Sequence, residues 1–206
     1  MKGVKSGDQP FSEPIQEFWR WFQDHRTEFE TLTDTAAPFW DVALGQLKRL
    51  DKHLWFELSQ PDHNDREFII TAESHADVFQ LVDTIVARAP RILGWQFIAL
   101  KPPMGFDFTT TYEGIRFEPR AMWFLPLEND SRPDDFGLRV GVPNLTHDIE
   151  RQANNAIAVI LETALGERAA ALNIQHLEVF TLPESPESQG YMPLYELPDY
   201  ISSRRR

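Results

Sequence analysis

Ile15, Phe18, Trp19, Phe22, Phe29 and Leu32 recur at helical spacing. A stripe so rich in large rings leaves this stretch no stable form in water except a helix laid against another layer. Ser12, Glu13 and Pro14 mark the helix start, and Trp21 falls off the stripe. A second start at Thr35–Pro38 leads into Trp40, Ala43, Leu44, Leu47, Leu50 and Leu54, again at a 3.6-residue period. Residues 1–53 therefore read as a helical hairpin whose aromatic faces need something to cover.

The sequence that follows supplies a sheet. LWFEL (54–58) and REFIITA (66–72) are β-type runs joined by the turn-forming SQPDHND. Ser74 and Asp77 form a capping-box-like start, and Val78, Phe79, Val82, Ile85, Val86 and Ala89 give a helix its apolar face before Pro90 ends it. WQFIALK (95–101) is then a strand. Its residues are apolar on nearly both faces, which predicts a central position in the sheet. The second half has the same order: AMWFLPL and FGLRVGV as strands, a helix capped by Thr146 and lined by Ile149, Ala153, Ala156, Ile157, Ile160 and Ala164, Gly166 as its C-terminal cap, and IQHLEVFTL as a strand. TTTYEGIRFE (109–118) reads as a hairpin between the copies, and its edge offers a route to self-association.

These elements predict an α+β fold: a largely antiparallel sheet of about six to seven strands, with the N-terminal helical hairpin and two further helices packed on it. A ββαβ pseudo-repeat is expected in topology, without residue identity between the copies. No Pro/Gly/Ser-rich linker interrupts the chain, so residues 1–206 read as a single domain. Its parts are the hairpin (1–53), an α+β core (54–182) and a peripheral C-terminal segment (183–206). Leu194, Tyr195, Leu197, Tyr200 and Ile201 predict that this last segment docks back.

Composition restricts function. The formal charge is −12, and the parts divided after residues 53, 101 and 147 carry −2, −3, −3 and −4. A diffuse negative field opposes nucleic acid and anionic membranes and suits a basic protein partner. With no Cys there is neither a disulfide framework nor a thiolate metal site. No segment approaches a membrane span and the N-terminus lacks an apolar signal core, so a soluble cytoplasmic location is expected.

The local fingerprints of dinucleotide, phosphate, acyl-transfer and zinc-protease chemistry are all missing. Any catalysis would have to come from residues scattered in sequence, and no cofactor or metal is expected. Two His/Glu pairs are the candidates. His147 and Glu150 share a helical face at i, i+3, although the helix dipole alone accounts for acids in a first turn. His176 and Glu178 share one face of a strand, as a half-solvated strand would show. Asp62, His63, Asn64 and Asp65 start like a calcium loop, but the later Gly and Glu of that pattern are missing.

A further candidate is the stretch after GWQFIALK. Pro102 and Pro103 end strand pairing, and Met104, Phe106, Asp107 and Phe108 then form either a lid on the core or an apolar binding surface.

IITAES, a helix ending in ARAP, GWQFIALKPP and the later LETALGE (161–167) together resemble a family of small uncharacterised bacterial proteins, a domain of unknown function. The resemblance covers about a third to a half of the chain. It implies a bacterial cytosolic protein and supplies no catalytic residues; Ser74 stands where that pattern has Gly.

The sequence reading is thus a non-enzymatic protein-binding module, in its narrowest form one that masks a basic partner such as a toxin. The alternative is a small-molecule-binding protein or enzyme in which His147, Glu150, His176 and Glu178 converge in a pocket between helices and sheet.

Overall fold

The computed structural model describes residues 12–61, 65–128, 131 and 136–204. The calcium-like Asp62, His63 and Asn64, the N-terminal decapeptide and most of the acidic segment 128–135 lie outside the described residues. Backbone proximity divides the chain into two compact units, Met1–Leu100 and Lys101–Arg206, a partition that the reading of one domain in three parts does not draw. Each unit holds 10 basic against 16 acidic residues, or −6.

In the first unit, α1 (Ser12–Asp24), α2 (Arg26–Thr31) and α3 (Pro38–Lys48) precede β1 (Trp55–Leu58), β2 (Arg66–Thr71), α4 (Phe79–Ala87) and β3 (Trp95–Ala99). The expected hairpin is thus three helices, broken at His25, where the Trp21 carbonyl also meets the His25 ring nitrogen at 2.9 Å. The sheet order is β1-β2-β3, with β1–β2 antiparallel and β2–β3 parallel. Phe56, Phe68 and Ile70 alternate onto one face and are fully or almost fully buried. The stripe read from the sequence lands there: the Phe22 ring lies 5.1 Å from Phe68 and from Trp95, and Phe29 lies 5.6 Å from Phe68. Edge-to-face pairs of this kind add roughly 0.5–1.5 kcal/mol each beyond the area they bury. Trp19 also donates its indole N–H to the Ile85 carbonyl at 2.9 Å, tying α1 to α4.

One charged side chain sits in this core. Arg66, 6% exposed, donates to the carbonyls of Glu30 and Leu32 at the end of α2, and its guanidinium lies 5.8 Å from the Trp95 ring centroid. The last carbonyls of a helix have no partners within it, and Arg66 supplies them from the sheet.

In the second unit, β4 (Thr110–Tyr112) and β5 (Ile115–Phe117) form a separate hairpin. Its central residues Glu113 and Gly114 both have positive φ, 46° and 81°, as a type I′ turn demands. Next come β6 (Trp123–Leu127), β7 (Gly137–Val142), α5 (Glu150–Leu165), α6 (Glu167–Asn173), β8 (His176–Thr181), β9 (Met192–Pro193) and α7 (Leu197–Arg204). The larger sheet has order β8-β7-β6-β9; β7–β8 is parallel and the other pairs are antiparallel. Phe124, Leu138, Val140, Ile157, Ile160, Leu194 and Leu197 meet in its core. The C-terminal segment therefore adds a strand and core residues to the unit.

The fold is α+β, as expected, but the single sheet is not found. Among the described residues, nine strands form sheets of three, two and four, and each larger sheet contains a parallel pair. The reason lies in the connections: a strand reached through a helix crosses the sheet and returns parallel, whereas a tight turn gives an antiparallel neighbour. Among the described residues the strand at 95–99 pairs with β2 alone, so it is an edge and not central, and four α-helices rather than two follow the N-terminal ones.

Strand, strand, helix, strand occurs in both units with the same pairing. Phe56 faces Ile70, and Phe124 faces Val140. Four residues beyond Ile70 and Val140 stand Ser74 and Asn144 with φ of 66° and 57°. A 3-10 turn follows each (Ala76–Val78 and His147–Ile149), and an α-helix follows each turn. Thr146 stands before its turn without closing a side-chain cap.

Lys101 and Pro103, which end GWQFIALKPP, meet LETALGE (161–167) in the second unit. Glu167, fully buried, donates its backbone N–H to the Lys101 carbonyl at 3.0 Å, and its carboxylate accepts the Lys101 N–H at 3.3 Å. Lys101 Nζ lies 2.7 Å from Glu162, and the amides of Met104 and Gly105 bond the Thr163 and Ala164 carbonyls that end α5. Gly166 has φ 79° and ψ 151°, a region essentially closed to other residues. A Cβ there would lie 2.9 Å from the Pro103 nitrogen.

Two stability effects are expected. Gly166→Ala should cost about 2 kcal/mol or more from the backbone conformation and the clash, read as a lower urea midpoint. Arg66→Met should cost about 2 kcal/mol, because the part-buried Glu30 carbonyl and the buried Leu32 carbonyl lose charged donors; a cost below about 1 kcal/mol would show that water serves them equally well.

Candidate functional site

Alternation along a strand gives the larger sheet of the second unit two faces. Phe124, Leu138 and Val140 fill the core face, while Arg139, His176, Glu178 and Phe180 stand on the other. Arg139 and Glu178 are cross-strand neighbours. Two guanidinium nitrogens of Arg139 reach one Glu178 oxygen at 2.7 and 2.8 Å, and His176 Nε2 lies 3.1 Å from the other. The same guanidinium lies 4.6 Å from the centroid of Phe180, which is 49% exposed. His176 first and Arg139 second hold the Glu178 carboxyl below its ordinary range. The segment after β8 overhangs this face: a Cβ on Gly141 would meet Leu182 at 2.8 Å and Tyr191 at 3.3 Å, so only glycine lets it approach so closely.

A second charged array lies on the same unit. The 3-10 turn at Pro119–Ala121 presents Arg120, whose Nη1 is 2.7 Å from Asp107 and whose guanidinium lies 4.9 Å from the ring centroid of Tyr195, itself 42% exposed. Asp107 thereby fixes an arginine against an exposed tyrosine.

The loop read as a binding candidate divides. Phe106 is 5% exposed and belongs to the core, and Phe108 is half-buried against it. As a surface for a partner these two rings are corrected to a lid, because burying them removes more apolar area than the loop could expose with profit. Met104, 71% exposed, and Asp107 remain at the surface.

The His/Glu candidates form two pairs. His147 Nδ1 is 3.2 Å from Glu150, in the open at the start of α5. Thr181, the last residue of β8, donates its hydroxyl to the Leu145 carbonyl, whereas His176 is the first residue of that strand. Leu145, two residues before His147, thus lies at the end of β8 opposite His176, and the ends of that strand are about 16 Å apart at ~3.3 Å per residue. Neither pair lines a groove of about 500 Å³ bounded by Ile115, Phe117, Met122, Val142, Ile149 and the Arg116–Glu118 ion pair. Among the described residues no three His, Asp or Glu side chains gather where a metal ion could be held. In the first unit the His53 and His75 ring centroids lie 4.0 Å apart with the rings tilted by 35°, and Asp51 bonds the amide and ring of His53.

Sequence reasoning missed Arg139, Phe180, Arg120 and Tyr195. The signal available for Arg139 was a single charge inside the otherwise apolar FGLRVGV. Among the described residues, no helix is long and apolar enough to cross a membrane. No protein-family model, curated protein or solved structure matches the chain.

Glu178 generates a pH prediction. Its carboxyl is held below its ordinary 4.5, so its stabilising effect is complete above that value and is lost as pH falls through the lower, folded one. Glu178→Gln should cost about 0.5–1 kcal/mol at pH 7, as expected of a half-exposed pair, and the difference should shrink below about pH 4.5. A difference that persists undiminished at pH 3 in thermal melts would assign the loss to packing instead.

Proposed function

We propose that this chain is a non-enzymatic protein-binding module whose contact surface includes Asp107, Arg120 and Tyr195. The observation that carries the reading is the arginine held against a half-exposed tyrosine by its own carboxylate. Tyrosine and arginine dominate the energetics of protein interfaces, and a side chain already fixed loses less entropy on binding. Met104, from the same loop as Asp107, adds an exposed and adaptable apolar group. The net charge of −12 favours a basic partner and speeds its approach. A basic toxin or enzyme, neutralised by being covered, is the narrowest form of this proposal, in a bacterial cytosol as the resemblance of LETALGE and GWQFIALKPP implies.

Affinity capture from the native lysate at low and high salt tests the proposal. A stoichiometric basic partner is expected at low salt, with less recovered at high salt. Tyr195→Ala should weaken its binding about tenfold or more, as loss of a hot spot does, while leaving the circular dichroism spectrum intact. Equal binding by Tyr195→Ala, or no stoichiometric partner at either salt, would overturn it.

A further inference from the structure

β8 is an edge strand, and no strand among the described residues covers its outer side. All six of its residues keep exposed surface, including Leu177 and Val179, which point toward the core face. Edge strands are commonly blunted by proline, lysine or a bulge, since a bare row of backbone groups templates another strand. His176–Thr181 contains neither proline nor lysine. The Leu182 amide bonds the Val142 carbonyl, continuing the ladder in which Val142 pairs with Thr181, so even-numbered residues direct their backbone groups at β7. Alternation leaves the N–H and C=O of 177, 179 and 181 facing the free edge.

We propose that this edge pairs antiparallel with β8 of a second copy, centred on Leu177. The choice of occupant rests on charge complementarity under self-pairing. With Leu177 opposite its own copy, His176 faces Glu178 twice across the junction. Opposite charges are among the combinations that stabilise cross-strand neighbours. The neighbouring registers lack this. Centring on Glu178 sets two carboxylates opposite each other, and centring on Val179 sets each carboxylate against Phe180. The Leu177-centred register also sets Leu177 opposite its own copy as a hydrogen-bonded pair, which fits the direction of its free backbone groups. Arg139, held on Glu178, keeps the centre from being negative even though each copy carries −12. The two four-stranded sheets would then form one continuous sheet of eight.

Sedimentation of the full chain over a range of concentrations, with substitutions at the exposed His176, tests the proposal. A concentration-dependent dimer is expected. His176→Glu should weaken it roughly tenfold by making two like-charge pairs, and His176→Arg should retain or tighten it. Because the chain has no cysteine, single cysteines introduced from 174 to 181 report the register by disulfide formation under mild oxidation. Cross-linking should peak at Leu177→Cys, where the two copies' Cα atoms come to about 5.5 Å, within disulfide reach. A monomer at all concentrations, equal dimerisation by His176→Glu and His176→Arg, or a peak at another position would each overturn the proposal.

Discussion

A strand that lies parallel to the one before it cannot be reached by a tight turn; the chain has to cross the sheet and come back. Both units are organised by this constraint. Residues 72–94 make the crossing from β2 to β3, and residues 143–175 make it from β7 to β8. In each, the crossing begins with a residue in the left-handed region, Ser74 or Asn144, which turns the chain out of the strand and toward its helix. Everything else in a unit is placed by what the crossing helix leaves uncovered: α1 to α3 complete the aromatic layer of the first, and Leu194, Leu197 and Ile201 close the core of the second.

Apolar packing is non-directional, so it does not by itself decide where a helix must stop. Polar anchors do that in both units. Arg66 takes the final carbonyls of α2 from within the sheet. Glu167 and Gly166 fix the end of α5 against Lys101 and Pro103. The end of GWQFIALKPP and LETALGE are thus the two sides of one junction. Their physical task, supplying partners to the end of a helix, requires no ligand.

Helices and strands were legible where periodicity is strong: the stripe from Ile15 to Leu32 and the alternation in REFIITA are local properties of the chain. Sheet membership was not, because no local pattern states which strand will be its neighbour. Trp95–Ala99 is apolar on nearly both faces yet lies at an edge: Trp19 and Phe22 of α1 pack on Phe97 and Trp95, and among the described residues β2 is its one strand neighbour. The direction of Phe106 was hidden for a similar reason. After two prolines the chain has no repeat from which to read an inward or outward face. The Arg139–Glu178 pair joins residues 39 positions apart, and a single arginine in a strand gives no sign of its partner. His147 and His176 each found the nearby glutamate that the spacing offered, and the fold then placed Leu145, two residues before His147, at the end of β8 opposite His176.

The aromatic layer of the first unit has an optical consequence. Of the six tryptophans, Trp19, Trp21, Trp40, Trp55 and Trp95 belong to residues 1–100, and Trp123 alone belongs to the second unit. All four tyrosines, Tyr112, Tyr191, Tyr195 and Tyr200, lie beyond residue 100. Indole emission therefore reports mainly on the packing of one half of the chain and phenol absorbance on the other, so that a single unlabelled sample carries a separate spectroscopic channel for each unit.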